Sequence, residues 1–353
     1  MKIWHSWKLQ PGAAALGMLG ILHWMLVAAL LAAFAWPAAA QSPECGGENL
    51  FAAMEREQPE SAAALREEAA AVPNGKGLLW RIEGAGSAPS WLFGTMHMTD
   101  PRVVALPGDA QDAFDRARVV VIETTDILDQ ARMTAALLAR PELMMFTGNE
   151  TLSSLIEADD LADVREGLSR RGIPLSSVEK MKPWIIAALI SLPACEMARK
   201  AQGARVLDAV LADKALAAGK EIAGLETAES QLAAMASLPM SLHIDGLVET
   251  LRLGERLDDV METMLQLYVD GETGLFWPFF RAVLPESADE AGAYATFQET
   301  MVSARNRGMA DNAMPMIEQG GAFIAVGALH LPGADGLVAL LQAKGLSVSL
   351  AGR

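Results

Sequence analysis

Cysteine, basic charge and long apolar runs are all scarce in this chain, and each shortage excludes something. Cysteine occurs only at Cys45 and Cys195. So distant a pair lacks the C-x-x-C spacing that presents two sulfurs to zinc, and an even count in a chain read as exported predicts one disulfide. Lys and Arg number 28 against 44 Asp and Glu, a net charge of −16. Binding nucleic acid needs a basic face, so this balance argues against such a partner and does not by itself choose another. Beyond residue 40 no apolar run reaches the roughly 20 residues that cross a bilayer. No linker rich in Gly, Ser or Pro, no short-period repeat and no low-complexity tract is present. Familiar catalytic signatures are missing too: there is no G-x-S-x-G elbow, and no H-E-x-x-H helix, Walker loop or Rossmann glycine fingerprint.

The one long apolar run is at the front. Lys2 and Lys8 precede an uncharged, mostly apolar stretch from Ala13 to Trp36, followed by Pro37 and Ala38-Ala39-Ala40. This reads as a secretory signal over residues 1–40, cut after Ala40. A retained anchor is the alternative, since the run is long enough to span, but the A-x-A ending before Gln41-Ser42 favours cleavage. The expected product is an exported protein, periplasmic or secreted, with no stable membrane span and an oligomeric state left open.

Residues 41–353 are expected to form one domain. Leu78 to Glu83, Trp91 to Phe93, Val119 to Ile122, Lys220 to Leu225, Ala322 to Val326 and Leu346 to Leu350 read as strands. Helices are expected over Ala105 to Ala117, over about Tyr294 to Gln319 with a kink or break near Pro315, and over Asp335 to Lys344. The strand, helix, strand order around Ala105 to Ala117 suggests a right-handed crossover. From about 128 to 270 the pattern is mostly helical, a large insertion or cap. The aromatic segment Leu275 to Phe280 reads as core packing before it reads as a binding platform. The class is α/β, or α+β: a central mixed or parallel sheet built from two pseudo-symmetric halves.

That symmetry rests on a repeated signal. The stretch W-L-F-G-T-M-H-M begins at Trp91 and I-A-V-G-A-L-H-L begins at Ile324. In each, an apolar run ends in Gly and a His follows three residues on, giving Gly94 with His97 and Gly327 with His330. Two further strands end in Glu-Thr, at Glu123 and at Glu226. Open sheets place ligands at the carboxyl ends of their strands, so neighbouring strands would bring His97, His330, Glu123 and Glu226 to one crevice. Two imidazoles and one or two carboxylates with an open position make a divalent-metal site of the hydrolytic kind. Each signal also has a plain reading, a Gly ending a strand or a Glu-Thr opening a helix. Asp100 is expected to cap the turn begun by Pro101, Arg307 to face solvent, and His243 to be a packing or surface histidine.

Together with V-V-V-I-E-T-T-D, G-L-E-T-A-E-S-Q from Gly224 to Gln231 and A-R-N-R-G-M-A from Ala304 to Ala310, the paired motifs resemble the TraB/PrgY/GumN family over nearly all of the exported chain. That family is related to the Tiki metalloproteases, which use manganese or cobalt, and more distantly to erythromycin-esterase-like and haem-binding ChaN-like proteins. The resemblance marks Gly94, His97, Glu123, Gly327 and His330 as motif residues and matches Arg305 and Asn306 to an Arg-Asn segment. It implies a metal-dependent hydrolase acting on a peptide or protein. His97, Glu123 and His330 would hold manganese, cobalt or zinc. Glu226 would be the general base or a fourth ligand, and Arg305 would stabilise an oxyanion or hold a substrate carboxylate. A peptide-sequestering protein without turnover and a haem or metal carrier are the alternatives.

Overall fold

β-Branched and aromatic runs bounded by glycine or polar turns form six strands: β1 Leu79–Glu83, β2 Ser90–Thr95, β3 Val119–Ile122, β4 Glu221–Gly224, β5 Ala322–Gly327 and β6 Ser347–Gly352. The computed structural model describes residues 45–283 and 290–352; the expected signal segment, residues 1–40, lies outside them. The strands join in one sheet in the order β4-β3-β5-β2-β1-β6. β4, β3, β5 and β2 run parallel, and β1 is antiparallel to both β2 and β6. The sheet is therefore mixed, as expected.

Alternation along the strands sends side chains to opposite faces. Leu79, Phe93, Val120, Ile122 and Phe323 pack on one face with Phe114 and Leu211. Trp80, Leu92, Val121, Ile324 and Val326 pack on the other with Met309, Ile317 and Leu341. Helices cover both sides, which explains why all four residues of β3 are buried. The long helical region keeps a core of its own, in which Leu152, Val164, Leu168, Ile186, Leu247 and Leu251 bury one another.

Strand boundaries follow the sequence to within a residue or two, whereas helix boundaries move where proline intervenes. The helix expected from Ala105 begins at Gly108, with Pro107 at its N-cap. Asp100 caps a short Pro101–Val104 turn by accepting from the Arg102 N–H. This connection leads from β2 to β3, but β5 lies between them in the sheet. The helix around Pro315 runs unbroken from Ala304 to Gln319. A separate irregularity comes earlier, as a π turn over Glu299–Ser303.

Cys45 and Cys195 form the expected disulfide, with Cα atoms 5.2 Å apart. Its neighbour Glu196 is fully buried and accepts from Thr99, through the backbone N–H at 2.6 Å and the hydroxyl at 2.9 Å. The bond thus fixes the Ala194–Ala201 helix, and that helix pins the chain two residues beyond His97. Closing so long a loop stabilises by about 5 kcal/mol in the chain-entropy picture, against about 2–4 kcal/mol for a typical disulfide. A Cys45→Ser, Cys195→Ser variant should lose stability on that scale and show faster amide exchange at residues 97–100. In the native protein, thiol labelling under denaturing, non-reducing conditions should find no reactive thiol.

Candidate functional site

The parallel strands β4, β3, β5 and β2 end on one edge, so the loops that leave their carboxyl ends meet there. β2 and β5 pair with Gly94 opposite Val326 and Thr95 opposite Gly327, which brings both G-x-x-H segments to the same edge. β3 and β4 pair Ile122 with Gly224, and the Glu226 N–H donates to the Glu123 carbonyl at 2.8 Å. In each Glu-Thr pair the threonine caps the next turn. Thr124 accepts from the Asp126 N–H and Thr227 from the Ser230 N–H. The plain reading thus holds for the threonines, while the glutamates point into the site.

Both motif glycines serve close approach, and neither has a left-handed backbone. A Cβ on Gly94 would lie 2.7 Å from Leu331 Cδ1 and 3.1 Å from Ala328 Cα; one on Gly327 would lie 3.2 Å from Glu123 Oε1. Without that atom the Gly327 N–H donates to Glu123 Oε1 at 2.7 Å.

Glu123 is buried and fully engaged. Its Oε2 accepts from Gln231 Nε2 at 2.9 Å and from Arg305 Nη2 at 2.9 Å. Burial alone would raise its pKa, but nearby His330, His97 and Arg305 together with the Gly327 N–H bring it down to about 2. Arg305 also grips Glu226, with Nη2 2.7 Å from Oε2 and Nε 3.2 Å from Oε1, and its Nη1 donates to the Met301 carbonyl. Every guanidinium nitrogen therefore has a protein acceptor, and Glu226 is occupied in holding Arg305. Arg307, by contrast, makes an exposed ion pair with Glu299.

One residue further along the same helix, fully buried Asn306 fixes His330. Asn306 Nδ2 donates to the Asp335 carbonyl, so its Oδ1 faces His330 Nδ1 at 2.6 Å. An oxygen there requires the proton on Nδ1, which leaves the Nε2 lone pair directed at the site, 3.9 Å from Glu123 Oε1. Burial, opposed by Glu123 and reinforced by Arg305, lowers the His330 pKa to about 4. The imidazole is neutral at physiological pH.

The site also holds a carboxylate that no sequence motif marks. Asp208 lies in the first turn of the Leu207–Ala217 helix, which packs on β3 and β4. Its Oδ1 accepts from the Thr95 hydroxyl at 3.1 Å. Its Oδ2 is buried with no hydrogen-bond partner and lies 3.6 Å from His97 Nε2. Burial raises the Asp208 pKa, and the negative charge of Glu123 adds to that. His97 is the open member of the group, its side chain 60% exposed. Beside it, Tyr268 donates to the Gly94 carbonyl at 3.0 Å.

A cavity of about 280 Å³ opens onto His97, Glu123, Arg305 and His330. Phe276 and Trp277 line it, so the aromatic segment serves both core and cavity wall. A second cavity of about 830 Å³ also borders Arg305 and includes Glu226, but it reaches neither motif histidine. His243 lines neither; it is buried in the helical region, as a packing residue. Among the described residues no three His, Cys, Asp or Glu side chains already form a group that could hold a metal ion. The site is instead two facing pairs, His97 with Asp208 and His330 with Glu123.

The family model described as TraB/PrgY/gumN family matches residues 78–350, a span that contains both G-x-x-H segments, Glu123, Asp208, Glu226 and Arg305. No curated protein and no solved structure matches the chain.

His330 sets an acid-stability signature. Its folded pKa, about 4, lies below the ordinary 6.5, so between these values the unfolded chain takes up a proton that the folded one refuses. Its contribution is complete above pH 6.5 and is lost as pH falls towards 4, on the order of 3 kcal/mol at most. Asp208, shifted upward, acts in the opposite sense above its ordinary value of 3.8. Metal-free protein should therefore lose stability from pH 6.5 to 4 more steeply than a His330→Gln variant, measured by urea unfolding. Parallel curves would refute a neutral, buried His330.

Proposed function

This chain belongs to the TraB/PrgY/gumN family, and we propose that it is an exported hydrolase of peptide or amide bonds whose site binds one divalent cation between His97, Asp208, Glu123 and His330. The observation that carries this reading is Asp208 Oδ2, a buried carboxylate oxygen without a donor, facing His97 and close enough to Glu123 to be raised by its charge. Arg305 is shared by the carboxylates of Glu123 and Glu226, Asp208 has no such partner, and a divalent cation would stabilise its ionised form. The donor types suit such an ion, although no three of them stand grouped among the described residues: a neutral His330 Nε2 with its proton fixed on Nδ1, an exposed second imidazole that would have to turn in, and carboxylate oxygens. Mixed nitrogen and oxygen ligands suit manganese, cobalt and zinc alike. A cation bound there supplies Lewis acidity towards a carbonyl group and towards water. The protein's part is to hold Glu123 ionised through Arg305 and Gly327, to orient His330 through Asn306, and to leave His97 open to the incoming substrate. In this arrangement Glu226 positions Arg305.

The disulfide supports an exported protein, and no helix among the described residues is long and apolar enough to cross a membrane. The His97–Asp208 contact also favours a second reading, a metal-free proton-handling pair of the kind in which a carboxylate orients an imidazole.

Elemental analysis and manganese titration of the purified protein, paired with a peptide-library cleavage assay, separate the two. Asp208→Asn and His330→Gln should each weaken manganese binding at least tenfold and abolish cleavage, and chelation should abolish it in the native protein. Glu226→Gln should keep the metal and lower turnover by loosening Arg305. Manganese affinity unchanged in Asp208→Asn would defeat the metal reading. Cleavage that survives chelation but is lost in His97→Ala and Asp208→Asn would establish the metal-free pair. Peptide affinity without cleavage would identify a sequestering protein, and a haem absorption band a carrier.

A further inference from the structure

The residues lining the smaller cavity are of two chemical kinds. One is the polar cluster of His97, Glu123, Arg305 and His330; the other is built from Met264, Phe276, Trp277, Phe297, Met301 and Leu329. The charged groups at its surface are committed to one another, Arg305 to Glu123 and Glu226, and Glu123 also to Gly327 and Gln231. The apolar lining side chains carry no charge, so a charged group lying against them would lose its hydration without gaining a partner, which costs heavily in such surroundings. An apolar group entering there gains burial against rings and thioethers.

We propose that this cavity is the specificity pocket of the site and takes one bulky, uncharged apolar side chain, aromatic or long aliphatic, from the residue bordering the bond to be cleaved. Its volume, about 280 Å³, lies at or just below the roughly 300–1,000 Å³ of drug-sized ligand sites. That suits a single large side chain with the adjoining peptide group. The wall is also held in place. Trp277 packs edge-on against Tyr294 and Phe297, with ring centroids 5.0 and 6.2 Å apart. The π turn over Glu299–Ser303 brings Met301 and Val302 to the cavity, and Arg305 Nη1 donates to the Met301 carbonyl at 3.2 Å. Such turns recur at functional sites because the extra residue redirects side chains. The arginine that holds the carboxylates therefore also holds the wall, fixing the apolar pocket at a set distance from the polar cluster. The larger cavity has no comparable claim, since its lining mixes small residues with the charged or polar Glu226, Glu299, Arg305 and Asn312, holds no aromatic ring, and touches neither motif histidine.

The pairing of pocket and scissile bond rests on the hydrolase reading; the side-chain preference does not, so the two are tested apart. Trp277 in the wall supplies the readout: its fluorescence is followed on titration with N-acetyl amino-acid amides, and Trp277→Phe identifies the signal. The phenylalanine and leucine amides should bind at least tenfold more tightly than the glutamate and lysine amides. Leu329→Arg should remove that preference, and Met301→Ala, a gentler change, should shift it towards the tryptophan amide. Equal affinity for phenylalanine and glutamate amides, or a preference unaltered in both variants, overturns the pocket. A preference for apolar amides in a protein that cleaves no peptide supports the pocket and counts against the hydrolase.

Discussion

Charge balance at the ends of the parallel strands is the constraint on which the rest of the site depends. Arg305 places one guanidinium between Glu123 and Glu226, and a third carboxylate, Asp208, lies buried close by without a donor for Oδ2. His330 does not repair the deficit, because burial keeps it neutral. Burying carboxylates in this way is tolerable only when each charge meets an opposite one. Glu123 and Glu226 achieve this through Arg305; Asp208 has no such partner, and burial together with the charge of Glu123 raises its pKa, a cost that the proposed cation would relieve.

The fold assembles this balance from distant stretches of chain. Parallel strands need crossover connections, and the helical region between β3 and β4 is one of them. It returns with Asp208 in the first turn of the helix that packs on both strands. Consecutive residues of a single helix, Arg305 and Asn306, then hold a carboxylate and an imidazole on neighbouring strand ends. The disulfide contributes from outside the sheet: Cys195 fixes the helix whose Glu196 binds Thr99, so the segment carrying His97 is tied down although the His97 side chain is open.

Elements that announce themselves locally are legible in the sequence. His97, Glu123, Glu226 and His330 each stand at a short, repeated offset from a β-branched or aromatic run, and the sheet does bring them to one edge. Asp208 is not legible, because an aspartate in the first turn of an apolar helix is an ordinary complement to the helix dipole. Only the placement of that turn beside Thr95 and His97 sets it apart. Pro315 suggests a kink or a break from local chemistry alone, and the helix runs through it unbroken. The helical stretch also carries a π turn over Glu299–Ser303, where Met301 reaches the cavity and its carbonyl accepts from Arg305. For Gly94 and Gly327 the sequence allows either a sharp turn or close approach, and the structure selects close approach.

The central claim is that the unsatisfied carboxylate marks a cation site, and diffraction tests it most directly. Crystals of the protein equilibrated with manganese, measured at the manganese absorption edge, should show a single anomalous peak about 2 Å from Asp208 Oδ2, His330 Nε2 and a Glu123 oxygen, with His97 turned towards it. No peak in that space, at manganese concentrations that saturate binding in solution, would contradict the account.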